Sequence, residues 1–415
     1  MPIKFRLTLL SFFQFFIWGA WLITIGNYWF TTKNWDGQSF GAVFLTLGIS
    51  SITMPAIVGI IADKWISAEK LYGMLHILSG FCLAALPQCD NPTTFFQIIL
   101  VAMMFYMPTI ALSNSIPYTI LKREQLDVVK VFPRIRVWGT VGFIAAMWVT
   151  NLTGNKASVN MFYIASAAAI GLGLYAFTLP NCPPPKLIRQ NASWVEKLGL
   201  NAFKLFADYK MALFFGFSML LGAALQLSNM YGDLYISEFE KIPKYADSIV
   251  VRYSTLVISI SQISETVFIL AIPFFLSRYG IKKVMLLSMF AWVLRFALFA
   301  YGDPGEGFGL IVLSCIVYGM AFDFFNVSGS LYVESTTDSN IRSSAQGMFT
   351  MMTNGFGAIL GSTVSGWLIQ NFFTSEQGKD WQSIWLTFAA YTFIIAIAFW
   401  FAFSSDSSKK EKTVV

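Results

Sequence analysis

Charge is scarce in this chain: only 12% of its 415 residues are Asp, Glu, Lys or Arg, against about 25% in an average soluble domain. So few charges cannot cover a water-facing surface of this size, which excludes an ordinary soluble globular protein. Histidine is reduced to one, His76. A histidine-based metal site is therefore excluded, and His76 reads as a packed or interfacial residue. The four cysteines, Cys82, Cys89, Cys182 and Cys315, form neither a CxxC pair nor a metal-ligand cluster. Three lie in or beside apolar runs, where a thiol behaves as a small hydrophobe. No nucleophile, base and orienter come together in any motif, so an enzyme is not expected.

What the chain has instead is apolar surface: 56% hydrophobic residues, 41 of them Phe. Runs of about 20 apolar residues, each long enough to cross a bilayer, recur from end to end. They fall near 7–29, 39–61, 71–89, 94–118, 130–151 and 158–180, then near 211–236, 251–276, 281–301, 307–329, 343–371 and 382–404. The first run follows Lys4 and Arg6 and is too long for a signal-peptide h-region, so it reads as a span. The expected fold class is an all-α membrane protein of about twelve transmembrane helices in two six-helix halves. The lipid bilayer is its environment.

The basic residues test this count. With both termini cytoplasmic, Lys33, Lys156, Lys241, Lys244, Arg252 and Lys379 fall outside, Arg295 falls within a span, and the rest of the 28 face inward. That is the bias the positive-inside rule predicts. The formal net charge of +6 is then a topology signal, not a nucleic-acid patch. The longest polar stretch, 181–210, opens Asn181-Cys182-Pro183-Pro184-Pro185 and contains Trp194 and Leu198, which suit an interfacial amphipathic helix. The organisation expected is a first half at 1–180, a cytoplasmic linker at 181–210, a second half at 211–405 and a cytoplasmic tail at 406–415.

The halves look like repeats. Gly59-Ile60-Ile61-Ala62-Asp63-Lys64 follows the second span, and Pro273-Phe274-Phe275-Leu276-Ser277-Arg278-Tyr279-Gly280 follows the eighth. Both resemble, in degenerate form, the loop signature of the major facilitator superfamily, whose parallel halves hold a midplane site.

Polar groups inside the spans cost the most and so mark function. Four ionisable ones stand out: Arg136, Glu265, Arg295 and Asp323. Gln262 and Glu265 are three apart, hence neighbours on one helix face, and Gln226 and Asn229 repeat that spacing one span earlier. A single amide is as readily interhelical glue, but four groups with a carboxylate among them suit a cavity wall. Asp323 sits among Phe322, Phe324 and Phe325 with no adjacent base. Desolvation disfavours its charged form, which suits a proton carrier. Arg295 and Asp323 differ in depth by roughly 15 Å at about 1.5 Å per residue, so Arg295 reads as a snorkelling or scaffold charge. Arg136, Thr140 and Phe143 share one helix face, offering a cation, a hydroxyl and an aromatic plate. Arg134 belongs to the cytoplasmic charge belt. Gly357, Gly361 and Ser365 read as small-residue packing, and Trp18, Trp21 and Trp29 as belt and core.

Several segments together resemble the bacterial nucleoside:proton symporters of the major facilitator superfamily. They are Leu10 to Gly19, Met54 to Trp65, Arg136 to Phe143, Ile260 to Thr266, Ala321 to Asn326, Ala345 to Phe349 and Met352 to Gly357. A more distant likeness is to lactose permeases, through Arg136, Phe143 and Asp323. The first resemblance implies a nucleoside such as uridine or adenosine held between the halves by Arg136, Thr140, Phe143, Gln226, Asn229, Gln262, Glu265, Tyr318 and Phe322. Asp323 would be the coupling carboxylate and Glu265 its rival. It also implies a bacterial inner membrane, no cofactor beyond the proton, and no obligatory protein partner. A proton-coupled sugar permease on the same fold is the alternative.

Overall fold

Local chemistry starts many of the helices. Asp36 accepts a hydrogen bond from the Ser39 N–H at 2.8 Å, and Asn91 from that of Thr94 at 2.8 Å. Asp127, Asp208 and Asp380 accept in the same way from Lys130, Met211 and Ser383. Each satisfies one orphan donor of a first turn. The helices that follow are α2 (Gly37–Lys64), α4 (Pro92–Arg123), α5 (Val128–Leu152), α7 (Tyr209–Glu238) and α12 (Trp381–Ala402).

The computed structural model describes residues 2–184, 200–337, 342–376 and 378–403. Trp194, Leu198, the middle of the polar linker and the 406–415 tail lie outside the described residues. The remaining long helices are α1 (Ile3–Gly19), α3 (Ala68–Ala85), α6 (Asn160–Ala176) and α10 (Phe308–Thr336). The segment Ser254–Tyr301 folds at Gly280, whose φ of 73° favours glycine. We call its two parts α8 and α9. α11 is composite: Arg342–Thr350, a π-turn at Met351–Phe356, then Gly357–Phe372. α1 likewise breaks after Gly19 and resumes as Ile25–Asn27 and a π-turn at Tyr28–Thr32. Among the described residues this makes twelve long helices, six before the linker and six after it, within a few residues of the expected spans.

Glycine sets the closest helix contacts. A Cβ on Gly142 of α5 would lie 2.0 Å from the Phe12 carbonyl oxygen of α1, and one on Gly19 would lie 2.5 Å from that of Phe143. The Gly357, Gly361 and Ser365 stripe packs α11 on α7: Gly357 meets Met219, Gly361 meets Ala223, and the Ser365 hydroxyl pairs with Tyr231 at 3.3 Å. Within the first half, the Gln14 amide donates to the Thr109 hydroxyl at 3.0 Å and its Oε1 accepts from Tyr72 at 2.6 Å. His76 is buried against the same amide at 3.0 Å. Trp21 and Trp29 are buried in the core.

Candidate functional site

The site is assembled where α5 of the first half faces α7, α8 and α10 of the second. The contact of α1 with Gly142 sets the position of α5, and with it Arg136, Thr140 and Phe143, all partly buried. The Arg136 guanidinium lies 4.2 Å from the centre of the Phe15 ring, a cation–π contact that holds a long, flexible side chain in place. Arg134, two residues earlier, is exposed, as a charge-belt residue should be.

On the second half, α10 approaches α8 through Gly319, where a Cβ would meet the Ser264 backbone at 2.6 Å. The Ser264 hydroxyl donates to the Ile316 carbonyl at the same crossing. This close approach brings Glu265 within electrostatic reach of Tyr318 and Asp323. The Tyr318 and Phe322 rings are stacked, 5.9 Å apart with planes inclined by 11°. Gln226, Gln262 and Asp323 are buried. Gln226 Oε1, Gln262 Oε1 and Asp323 Oδ2 each lack a hydrogen-bond partner in the protein. A buried polar atom left without a partner is costly; these three lie on neighbouring helices, and Asp233 Oδ1 and Asn151 Oδ1 are others of the kind among the described residues. Asn229, one turn along from Gln226, is partly buried.

Electrostatics joins the halves. Arg136 and Glu265 interact across the seam, and Asp323 in turn feels the Glu265 charge. The cation thus meets Glu265, and Asp323 lies behind it, 3% exposed against a partly exposed Glu265.

Arg295 resolves as a scaffold residue and does not snorkel. It is 1% exposed, and its guanidinium donates to the Ser228 hydroxyl at 2.7 and 3.1 Å, the Ser314 carbonyl at 2.8 Å and the Ser261 hydroxyl at 3.4 Å. It also sits 4.6 Å from the Tyr318 ring centre. It thus ties α7, α8, α9 and α10 together behind the wall.

Sequence reasoning missed a second cross-half cluster, at the end of the bundle away from the termini. The Asn27 amide donates to the buried Asp233 carboxylate. Lys156, also in electrostatic reach of Asp233, donates to the Val251 carbonyl at 3.0 Å and to the Ser254 and Ser237 hydroxyls at 3.1 and 3.3 Å. Trp148 donates to Ser259 at 2.9 Å, and Asn151 to the Arg252 carbonyl at 3.3 Å. Nearby, Lys379 pairs with Glu238 at 2.6 Å and lies 4.1 Å from the Phe30 ring centre. Burial pulls the Lys379 ammonium below the usual lysine range against the opposing pull of Glu238. A signal for this cluster was present, because Gln226, Asn229 and Asp233 share one face at i, i+3 and i+7. Asp233 falls near the end of its span, where a charge reads as interfacial.

These contacts fasten the far end of the seam. Asp233→Ala should loosen it, since a hydrogen bond to a charged group contributes about 1.5–3 kcal/mol. A cysteine placed at Val251, which is 2% exposed, should then react at least several-fold faster with a membrane-impermeant thiol reagent. Unchanged labelling would mean that the cluster does not hold the seam.

Comparison with known proteins points the same way as the geometry. A family model described as Nucleoside H+ symporter matches residues 1–408. The chain is 52% identical over 400 residues to nucleoside permease NupG of Escherichia coli K12, covering 96% of this chain and 95% of that one. It is 50% identical over 404 residues to the xanthosine permease of the same organism, with 97% and 96% covered. A mutant form of nucleoside transporter NupG, solved as a crystal structure, superposes with a TM-score of 0.94 at 51% identity, covering 97% of this chain and all of that one.

Proposed function

The chain belongs to the nucleoside H+ symporter family, and within the proton-coupled nucleoside uptake that this membership entails we propose that the ligand sits on the seam between Arg136 and the α7–α8–α10 wall. Its fold is that of the major facilitators and it is a transporter, not an enzyme. What supports the site is that Gln226, Gln262 and Asp323 each hold a buried oxygen with no partner in the protein, while Arg136 and Glu265 interact from opposite halves.

Uridine and adenosine are the ligands we assign. The side-chain amides of Gln226, Asn229 and Gln262 offer both donors and acceptors, matching a base edge and ribose hydroxyls. Phe143, Tyr318 and Phe322 offer rings for stacking, which tolerates different bases. Arg136 and Glu265 bind the ligand and, coming from opposite halves, make its affinity depend on how the halves are set.

Asp323 is the proton carrier in this reading. With both acids ionised, Arg136, Glu265 and Asp323 sum to one uncompensated negative charge in a low-dielectric setting, which is costly. A proton on Asp323 removes it, so the loaded site is neutral when the halves rock. We place the protein in the bacterial inner membrane with both termini cytoplasmic. A seam fastened at Asn27, Lys156 and Asp233 then belongs to the state that faces the cytoplasm.

Radiolabelled uridine and adenosine should accumulate in cells expressing the chain, and each should compete with the other. Uptake equal to that of empty cells, with the protein present in the membrane, would remove both ligands from this reading.

A further inference from the structure

Arg136 does not point where an arginine on a helix ordinarily points. Long side chains on a helix lean back toward its N-terminus, which on α5 would carry the guanidinium toward the exposed Arg134. Snorkelling in that direction is the usual relief for a cation within a membrane span. Here the tip lies at the level of the next turn instead. A Cβ built on Gly139 would sit 2.8 Å from Arg136 Nη1 and 2.6 Å from a carbon of the Phe15 ring, well inside the roughly 3.5–4.0 Å at which carbon atoms pack. The guanidinium and the ring, 4.2 Å from carbon to ring centre, thus occupy space that any side chain at 139 would fill.

The other wall of this slot is fixed from α1 and α4. Phe15 follows Gln14, whose side chain is held by Tyr72, His76 and Thr109 and whose carbonyl accepts from the Tyr106 hydroxyl. The Ser11 hydroxyl, one turn earlier on α1, donates to the Arg136 carbonyl at 3.4 Å. Gly139 is buried against this assembly. Alanine is the better helix former, so nothing in the helix itself calls for glycine at 139. The neighbouring Gly142 is a different case. Its added Cβ would meet the Phe12 carbonyl oxygen at 2.0 Å, a contact with backbone that only a shift of the helices could relieve. At Gly139 the three nearest atoms all belong to the Arg136 and Phe15 side chains, and side chains can move alone.

We propose that Gly139 is a positioning residue for nucleoside binding: the side chain it lacks leaves the slot that keeps the Arg136 guanidinium against Phe15 and away from the α5 N-terminus. From that placement Arg136 interacts with Glu265 of the other half. Filling the slot with one methyl group moves the cation and leaves the helices where they are. The inference rests on Arg136 as a ligand contact, and the experiment separates the two.

Uridine binding by calorimetry, uridine counterflow in proteoliposomes and thermal stability are measured on the full-length chain, on Gly139→Ala, Gly142→Ala and Arg136→Lys, and on Gly139→Ala combined with Arg136→Lys. Gly139→Ala should bind uridine about tenfold or more weakly, the loss expected for one charge-assisted hydrogen bond, with the thermal stability of the wild type. In counterflow its KM should rise by the same factor while the maximal rate stays within about twofold, the pattern of lost binding alone. Gly142→Ala should instead lose thermal stability, because overpacking against backbone strains the helix pair. Arg136→Lys should bind more weakly than wild type, since an ammonium cannot reproduce the guanidinium fork. On that background Gly139→Ala should cost about twofold or less, because two residues acting through one contact are not additive. If Arg136→Lys binds too weakly for that comparison, the split between KM and maximal rate in Gly139→Ala decides. Wild-type affinity in Gly139→Ala, an equal loss in both backgrounds, or a fall in maximal rate and stability like that of Gly142→Ala would each overturn the slot. A wild-type chain that binds no uridine would overturn the nucleoside ligand and this role with it.

Discussion

Asp323→Asn should still bind nucleoside and still exchange it across the membrane, but should lose essentially all accumulation driven by a proton gradient. The amide fixes the side chain in its neutral form and keeps its shape. A nucleoside carries no charge, so the membrane potential cannot concentrate it; a co-transported proton can. Asp323 is 3% exposed, and one of its oxygens lacks a partner in the protein. It feels the Glu265 charge, so neutralising it permanently leaves Arg136 and Glu265 balanced. The variant therefore sits always in the state that the proton normally creates: it can bind and rock, but gains nothing from the gradient. The same substitution logic separates the rival. Glu265→Gln should lose ligand affinity first, because Glu265 interacts with Arg136 and shares a helix face with Gln262 on the proposed ligand wall.

Arg136→Ala should weaken binding by at least ten- to a hundred-fold, to the point of abolishing it, while leaving the protein folded. A hydrogen bond to a charged partner contributes about 1.5–3 kcal/mol, and a buried group stripped of its partner costs more. Loss of the guanidinium does both at once: it removes a ligand contact and strands Glu265 without its counter-charge across the seam. At 1.4 kcal/mol per decade, the affinity should fall by roughly ten- to a hundred-fold or beyond. Folding should survive because α5 is positioned by Gly142 and Gly19 against α1, not by Arg136. Gln262→Ala should weaken binding less, since a neutral amide is lost. Calorimetry giving wild-type affinity for Arg136→Ala, on protein of wild-type thermal stability, would refute the site.

What could be read in the sequence followed from strong physical rules. Bilayer-length apolar runs located the twelve long helices among the described residues, because so many such runs in one chain suit only a lipid environment. The i, i+3 pairs on α7 and α8 were legible because helical spacing needs no tertiary information. The small-residue stripe Gly357, Gly361, Ser365 packs α11 onto α7 as expected. What escaped the sequence depended on several helices at once. Arg295 reads as an isolated charge until Ser228, Ser261 and Ser314 converge on it from three different helices. Asp233 sits on the Gln226 face, but its partners Asn27 and Lys156 come from the other half. Asn151, at the end of an apolar run, donates across the seam to the Arg252 carbonyl. The π-turn at Met351–Phe356 uses residues that an ordinary helix would accept, so only the packing of Gly222 on the Thr353 carbonyl and of Gly48 on that of Gly355 reveals it.

The coupling itself is the claim on which the rest depends, and it is tested most directly by following proton and uridine entry together in proteoliposomes holding a trapped pH indicator. Adding uridine to wild-type vesicles should acidify the lumen as the nucleoside enters, and Asp323→Asn vesicles should admit uridine down its gradient with no acidification. Uridine-driven acidification that persists in Asp323→Asn would contradict the assignment and move the proton to Glu265 or elsewhere.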